Sequence, residues 1–245
     1  MNFELGTLFG LGVGPGDPGL VTVRAVEVLQ QAATIAFPVH RKGAASRALA
    51  VVASYLPETA TRLPLVLPMT RDRDRLRQSR NEAAGLLARA GEDGDVACLS
   101  LGDPLFYSTF GYLAGKYPGR VEVISGVTAM SAMAAGIGLP LAEGDTPTVV
   151  VTGADSDGLA AALKIRASIV IIKPRALPPA SLDLMDAHGV WSRAVAAVEL
   201  GSPAEKIIKR LSRDSARQLP YFAVLWIKAA GGQKMDSKKT RNIDQ

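Results

Sequence analysis

The sequence predicts an α/β protein with a parallel sheet in its first half, and three observations carry that prediction. Short apolar runs alternate with helix-length segments along the 245 residues. These runs are continuously apolar, as in strands covered on both faces, whereas a half-exposed strand would alternate. A Gly-Asp-Pro turn follows the first run and again the fourth, so the order is strand, turn, helix, as in an open α/β domain.

In chain order, strands are expected at 8–13, 34–37, 62–66, 96–99 and 121–124, with helices at 21–31, 46–55 and 71–90 between them. The second half has a different character. Its strands are expected at 148–152, 168–172, 194–198 and 221–227, and the Gly- and Pro-rich stretch 136–147 reads as a loop. A boundary at residue 124 gives domains 1–124 and 125–245. Pro178-Pro179 reads as a helix entry, and His188, just before Gly189, as a C-terminal cap. Glu205, Lys206 and Lys209 read as an exposed helix face. Trp191 and Trp226 read as core or interface residues. No internal repeat is evident.

Composition excludes several classes. The single cysteine, Cys98, rules out a disulfide within the chain and fits a reducing compartment. It sits in Val96-Ala97-Cys98-Leu99 and reads as a small core residue. With only His40 and His188 and no clustered ligands, no metal site is expected. Lys and Arg number 28 against 23 Asp and Glu, and the net charge of +5 favours an anionic ligand without identifying one. There is no zinc-finger or basic-zipper spacing, and few aromatics lie among the basic residues, so no nucleic-acid partner is expected. No apolar run approaches the roughly 20 residues of a membrane span. The N-terminus, MNFELGTLFG, has no basic segment before its apolar stretch, so neither a signal peptide nor a membrane partner is expected and the cytoplasm is the expected location. The tail Lys238-Lys239-Thr240-Arg241 reads as polar and frayed.

The most informative local feature is the repeated turn, Gly16-Asp17-Pro18 and Gly102-Asp103-Pro104. Glycine lets the chain turn sharply. Aspartate can cap free N–H groups at a helix start, and proline suits the first helical position. In a parallel sheet both turns lie at the carboxyl edge, where open α/β folds bind ligands. They are either two well-capped helix starts or two walls of a ligand site, and the pairing among glycines favours the site. Gly14-Pro15-Gly16-Asp17-Pro18-Gly19 formally matches G-x-G-x-x-G, but a dinucleotide fold then wants an acid about 20 residues on. Phe37-Pro38-Val39-His40 occupies that place, so NAD binding is not expected. No Gly-Lys-Ser or Gly-Lys-Thr follows, so the loop is not a Walker motif.

Three ordered segments carry a family resemblance. GVGPGDPGLVTVRAVEVL at 12–29, LGDPLFYSTF at 101–110 and ISGVTAMSAMAA at 124–135 resemble the signatures of the tetrapyrrole (corrin/porphyrin) methylases. Within that family the chain is similar to the precorrin-2 C(20)-methyltransferases of cobalamin biosynthesis. The cues are Phe37-Pro38, Pro68-Met69-Thr70-Arg71-Asp72, the run from Asp103 to Thr109, and Pro220-Tyr221-Phe222. The resemblance implies two α/β domains, with a mostly parallel sheet in the first, a mixed sheet in the second and a ligand cleft between them. It implies a homodimer. It implies S-adenosyl-L-methionine near Leu101, Gly102, Asp103, Phe106, Thr128 and Ala129, with Ser108 and Thr109 contributing. From the second domain it adds Ile172, Lys173, Glu199, Leu200, Tyr221 and Phe222. Many relatives carry a methionine near Ile172, where a backbone contact would survive. The Pro-rich loop, Gly14, Pro15, Gly16 and Asp17, is assigned to the tetrapyrrole side.

The implied chemistry sets the remaining expectations. Methyl transfer from a sulfonium is an in-line displacement that requires no metal and no covalent enzyme intermediate. Alignment can supply up to roughly 7–11 kcal/mol of the barrier. Asp17 is the acid that would contact pyrrole N–H groups or manage a ring proton; the competing reading is a helix cap. The many carboxylates of a precorrin call for cations, and His40, Arg41, Lys42 and Arg71 are the candidates. Arg73, Arg75 and Arg77 read equally well as a solvated face. Phe106 and Tyr107 either flank the ligand or pack the core. The expected activity is methylation of precorrin-2 at C(20), giving precorrin-3A. A sister methylase acting on another ring carbon or on uroporphyrinogen-III, a macromolecule methylase on the same scaffold, and a non-catalytic tetrapyrrole carrier stand as the other readings.

Overall fold

Where the apolar runs lie, strands form, and the chain builds two sheets from them. A computed structural model describes residues 5–70 and 72–230. Arg71 and the tail at 238–241 lie outside the described residues. The chain divides into two units, Met1–Thr128 and Ala129–Gln245. The first unit therefore runs past residue 124, because Gly126 is held within it by Asp103 and by close packing on Gly12.

The first unit comprises β1 (Leu8–Gly12), α1 (Val23–Gln31), β2 (Thr34–Val39), α2 (Arg47–Val51), β3 (Thr61–Val66), α3 (Arg73–Ala90), β4 (Val96–Ser100), α4 (Phe110–Ala114) and β5 (Val121–Ile124). Its sheet is wholly parallel in the order β3-β2-β4-β1-β5. Helices cover both faces, which is why the strands read as continuous apolar runs. Ala97 and Leu99 of β4 pack with Ala25, Val28 and Leu29 of α1 and with Ala48 and Val51 of α2. Val96 and Cys98 turn the other way, toward Ala83, Ala84 and Leu87 of α3 and Phe110 and Leu113 of α4. Burial disfavours the charged thiolate and pushes the Cys98 thiol up to about 12. Native protein at neutral pH is therefore expected to resist a disulfide-forming thiol reagent, and denatured protein to react stoichiometrically; rapid labelling of the native state would contradict this burial.

Helix starts follow capping chemistry, with two departures from expectation. Asp17 caps only a single 3-10 turn, Pro18–Leu20, by accepting from the Gly19 N–H. The longer helix α1 begins at Val23, where Thr22 accepts from the Ala25 N–H. Asp72 accepts from the N–H groups of Asp74 and Arg75 and so starts α3.

The second unit comprises α5 (Ala129–Ile137), β6 (Thr148–Thr152), α6 (Ser156–Lys164), β7 (Ser168–Ile172), α7 (Pro179–Ala187), β8 (Ala194–Val198), β9 (Lys206–Ile208), α8 (Arg213–Arg217) and β10 (Ala223–Ile227). The strand order is β6-β7-β10-β8-β9. Only β6 and β7 are parallel; the pairs β7–β10, β10–β8 and β8–β9 are antiparallel, so the sheet is mixed. One face packs on α6, α7 and α8, the other on α5. The loop expected from residue 136 starts later, because Ile137 is fully buried beside Met133 and holds the last turn of α5. Lys206 belongs to a strand, not to an exposed helix. Ile207 packs on the α5 side of the sheet and Ile208 on the opposite side, and that two-residue period is a strand's.

Pro179 opens α7, and His188 closes it with its backbone N–H on Leu184 and Asp186. Trp226 is core, and its indole N–H donates to the Ser168 hydroxyl at 2.7 Å. Trp191 donates to Asp186, and Arg213 pairs with Asp183 and Asp186, tying α8 to α7. Among the described residues no helix is long and apolar enough to cross a membrane.

Candidate functional site

Strand order decides where the first unit can hold a ligand. β1 and β4 are neighbours. The chain leaving β1 goes to α1 on one face, and the chain leaving β4 goes to α4 on the other. That divergence opens a crevice at the carboxyl edge, the place where open α/β sheets take their ligands. Both Gly-Asp-Pro turns lie there.

The two turns are joined by their backbones. The Val13 N–H donates to the Ser100 carbonyl at 3.0 Å, extending the pairing past β1. Gly14 and Gly102 then exchange N–H···O bonds, 3.3 Å from Gly14 to Gly102 and 2.7 Å in return. Both adopt positive φ, +75° and +76°, which is cheap only for glycine. A third loop closes on them. A Cβ at Gly126 would lie 2.1 Å from the Gly102 carbonyl oxygen, and one at Gly12 would lie 2.4 Å from the Gly126 nitrogen. Asp103 fastens the group, accepting from the Leu105 N–H at 2.8 Å and from the Gly126 N–H at 3.0 Å. Asp103 is thus not a helix cap. The chain after it stays irregular, Tyr107 takes φ +52°, and α4 starts only at Phe110.

The remaining residues predicted for this edge fall around that glycine cluster. Pro15 and Gly16 are partly exposed and Asp17 is exposed. One Asp17 oxygen holds the Gly19 N–H at 2.8 Å. Leu101 and Phe106 are half-buried, and Phe106 meets Tyr107 edge to face at 5.1 Å. Tyr107 is 48% exposed and does not pack the core. The Ser108 hydroxyl takes the Phe110 N–H and pairs with the buried Ser100 hydroxyl, while Thr109 stands at the N-cap of α4. Thr128 and Ala129 follow on Gly126 at the entry to α5. At the carboxyl end of β2, His40, Arg41 and Lys42 are exposed, and among the described residues none of the three has an ion-pair partner. Met69, after the neighbouring β3, is 64% exposed.

In the second unit, register gathers six predicted residues at one end of the sheet. Ile172 pairs with Val224, and Val198 with Ala223. The residues after β7 and β8 and those before β10 therefore share an edge: Lys173; Glu199 and Leu200; Tyr221 and Phe222. The Glu199 N–H donates to the Phe222 carbonyl at 2.9 Å. Lys173 and Glu199 hold φ of +53° and +55°. Left-handed backbone at non-glycine residues is uncommon and concentrates at functional sites. Tyr221 and Phe222 are partly exposed and meet edge to face at 5.2 Å. The Ile172 carbonyl already accepts from the Gly153 N–H at 2.8 Å, leaving one lone pair for any ligand.

Gly12, Gly126 and Ser100 are parts of this edge that the residue-by-residue reading did not single out. The signal for the two glycines was present: Gly12 opens the first signature segment and Gly126 sits in the third. The geometry also tests whether a cofactor fits. A Cβ built on Gly102 meets no atom within 4 Å, so a ligand can approach the backbone there.

The comparisons agree with this architecture. Residues 7–214 match the family described as tetrapyrrole (corrin/porphyrin) methylases. A precorrin-2 C(20)-methyltransferase from Sinorhizobium is 33% identical over 237 residues, covering 91% of this chain and 95% of that one. A cobalt-precorrin-2 C(20)-methyltransferase from Salmonella typhimurium is 32% identical over 227 residues, covering 91% and 96%. In fold, the chain resembles a uroporphyrin-III C-methyl transferase from Thermus thermophilus, solved in complex with S-adenyl homocysteine. That likeness has a TM-score of 0.66 at 20% identity and covers 91% of this chain and 97% of that one. With the signature turns bonded to each other at the switch point of a parallel sheet, and the family match running through both units, the chain belongs to the tetrapyrrole (corrin/porphyrin) methylases.

Proposed function

We propose that this protein transfers a methyl group from S-adenosyl-L-methionine to C(20) of precorrin-2, giving precorrin-3A in cobalamin biosynthesis. The observation that carries this reading is similarity along nine-tenths of the chain to two methyltransferases named for that ring carbon. The same reading places the protein in the cytoplasm as a homodimer, acting on a small tetrapyrrole.

S-adenosyl-L-methionine supplies a methyl group already activated by its sulfonium, so the residues have only to bind, align and exclude water. Leu101, Gly102 and Phe106, with Ser108, Thr109, Thr128 and Ala129, form the cofactor side, where glycine turns and carbonyls suit a cation that leaves neutral. Asp103 belongs to the same loop. Ile172, Lys173, Glu199, Leu200, Tyr221 and Phe222 are the second unit's contribution. Gly14, Pro15 and Gly16 shape the acceptor side. Asp17 is exposed there, and its second carboxylate oxygen has no partner among the described residues. It is the group to accept from pyrrole N–H groups or to take the ring proton lost on methylation.

His40, Arg41, Lys42 and Arg71 are assigned to the substrate's carboxylates, and Tyr107 to the same substrate. Arg41→Ala or Lys42→Ala is expected to raise the precorrin-2 KM about fivefold, because an exposed ion pair is worth up to roughly 1 kcal/mol. The S-adenosylhomocysteine affinity stays put, and added salt shrinks the difference. Steady-state kinetics at two ionic strengths check this.

The function itself is tested by anaerobic incubation with precorrin-2 and S-adenosyl-L-methionine. Mass spectrometry is expected to show a gain of one methyl group. Transfer to ribosomal RNA and not to precorrin-2, or no binding of S-adenosylhomocysteine at millimolar concentration by calorimetry, would overturn the reading.

A further inference from the structure

The backbone bridge at the sheet edge joins two segments given different tasks, cofactor binding at 101–106 and acceptor binding at 14–17. Resting on that assignment, we propose that Asp103 is a positioning residue that couples the two ligands, so that bound cofactor tightens the binding of the tetrapyrrole. Each Asp103 oxygen already accepts a backbone N–H, from Leu105 at 2.8 Å and from Gly126 at 3.0 Å. The carboxylate thus clamps the fourth-strand loop onto the fifth-strand loop. Between those anchors sits Gly102. Its N–H and carbonyl are both committed to Gly14, and its carbonyl oxygen lies where a Cβ on Gly126 would be, only 2.1 Å away. Gly126 in turn packs on Gly12, at the foot of the 14–17 loop. These contacts are backbone to backbone and leave no side chain to rearrange, so a shift of the cofactor loop must shift Gly14. A ligand that fixes one loop therefore fixes the other, and linkage makes the effect equal in both directions.

The test is an anaerobic equilibrium titration of the full chain with precorrin-2, with and without saturating S-adenosylhomocysteine. The proposal predicts an affinity gain of about fivefold or more in the wild type. In Asp103→Asn one oxygen is replaced by an NH2 that cannot accept from a backbone N–H. The gain is then expected to fall below about twofold, whatever happens to the separate affinities. A merely structural role would weaken both ligands and leave their ratio alone. Two ligands that bind the wild type independently, or a ratio retained in Asp103→Asn, would overturn the coupling while leaving the methyltransferase reading intact. Should Asp103→Asn fail to fold, the wild-type ratio still decides. Failure of the wild type to bind S-adenosylhomocysteine at all would instead remove the assignment on which the proposal rests.

Discussion

Gly126→Ala is expected to lower stability by about 3 kcal/mol or more and the melting temperature by roughly 10 °C, and to impair binding of both proposed ligands together. The cost arises because the new methyl group would sit 2.1 Å from the Gly102 carbonyl oxygen and 2.7 Å from the Gly12 Cα. Backbone atoms cannot turn aside as a flexible side chain does, so the three loops must part. The Asp103–Gly126 bond and the Gly14–Gly102 pair are strained with them. Gly111→Ala is the matched control. Gly111 lies in α4 and a Cβ there meets nothing within 4 Å, so alanine is expected to be neutral or to stabilise by up to about 1 kcal/mol. Thermal melts of the two variants measure the contrast. Equal stability of Gly126→Ala and Gly111→Ala would mean that the loops are not packed as described.

Gly102→Trp is expected to weaken S-adenosylhomocysteine binding at least about 100-fold, equivalent to about 2.7 kcal/mol, while the protein still folds. A Cβ at this position meets no atom within 4 Å, so the substitution does not begin with a backbone clash. The φ of +76° costs an L-residue roughly 1–2 kcal/mol, which a domain of this size tolerates. The indole then occupies the volume assigned to the cofactor. Calorimetry, with circular dichroism to establish folding, checks both halves. Normal affinity in a folded Gly102→Trp protein would remove the second turn from the site.

How much of this was legible in the sequence depended on the range of the interaction that decides each feature. β5, β6, β7 and β8 match their expected limits because apolar runs bounded by turn residues are local signals. The two Gly-Asp-Pro turns were also recognisable locally, but the use of their carboxylates was not. Asp17 caps a 3-10 turn through a residue two positions away, as local chemistry suggests. Asp103 sends one oxygen to Gly126, a partner 23 positions on that only the folded sheet brings close. The strand β9 was missed for the same reason. Ala204-Glu205-Lys206-Ile207-Ile208 has helix-forming composition, and pairing with β8 overrides it. The convergence of Lys173, Glu199 and Phe222 required antiparallel register that no local pattern specifies. Within this chain, the family signatures named the residues of the first edge, but not the shared backbone that holds them.

The central claim is the identity of the methylated carbon. Carbon-13 in the methyl group of S-adenosyl-L-methionine makes that carbon directly visible by NMR of the tetrapyrrole product formed under anaerobic conditions. The account predicts a single enriched methyl signal attached to C(20). Enrichment at another ring carbon, or an unlabelled tetrapyrrole recovered with cofactor intact, would contradict it.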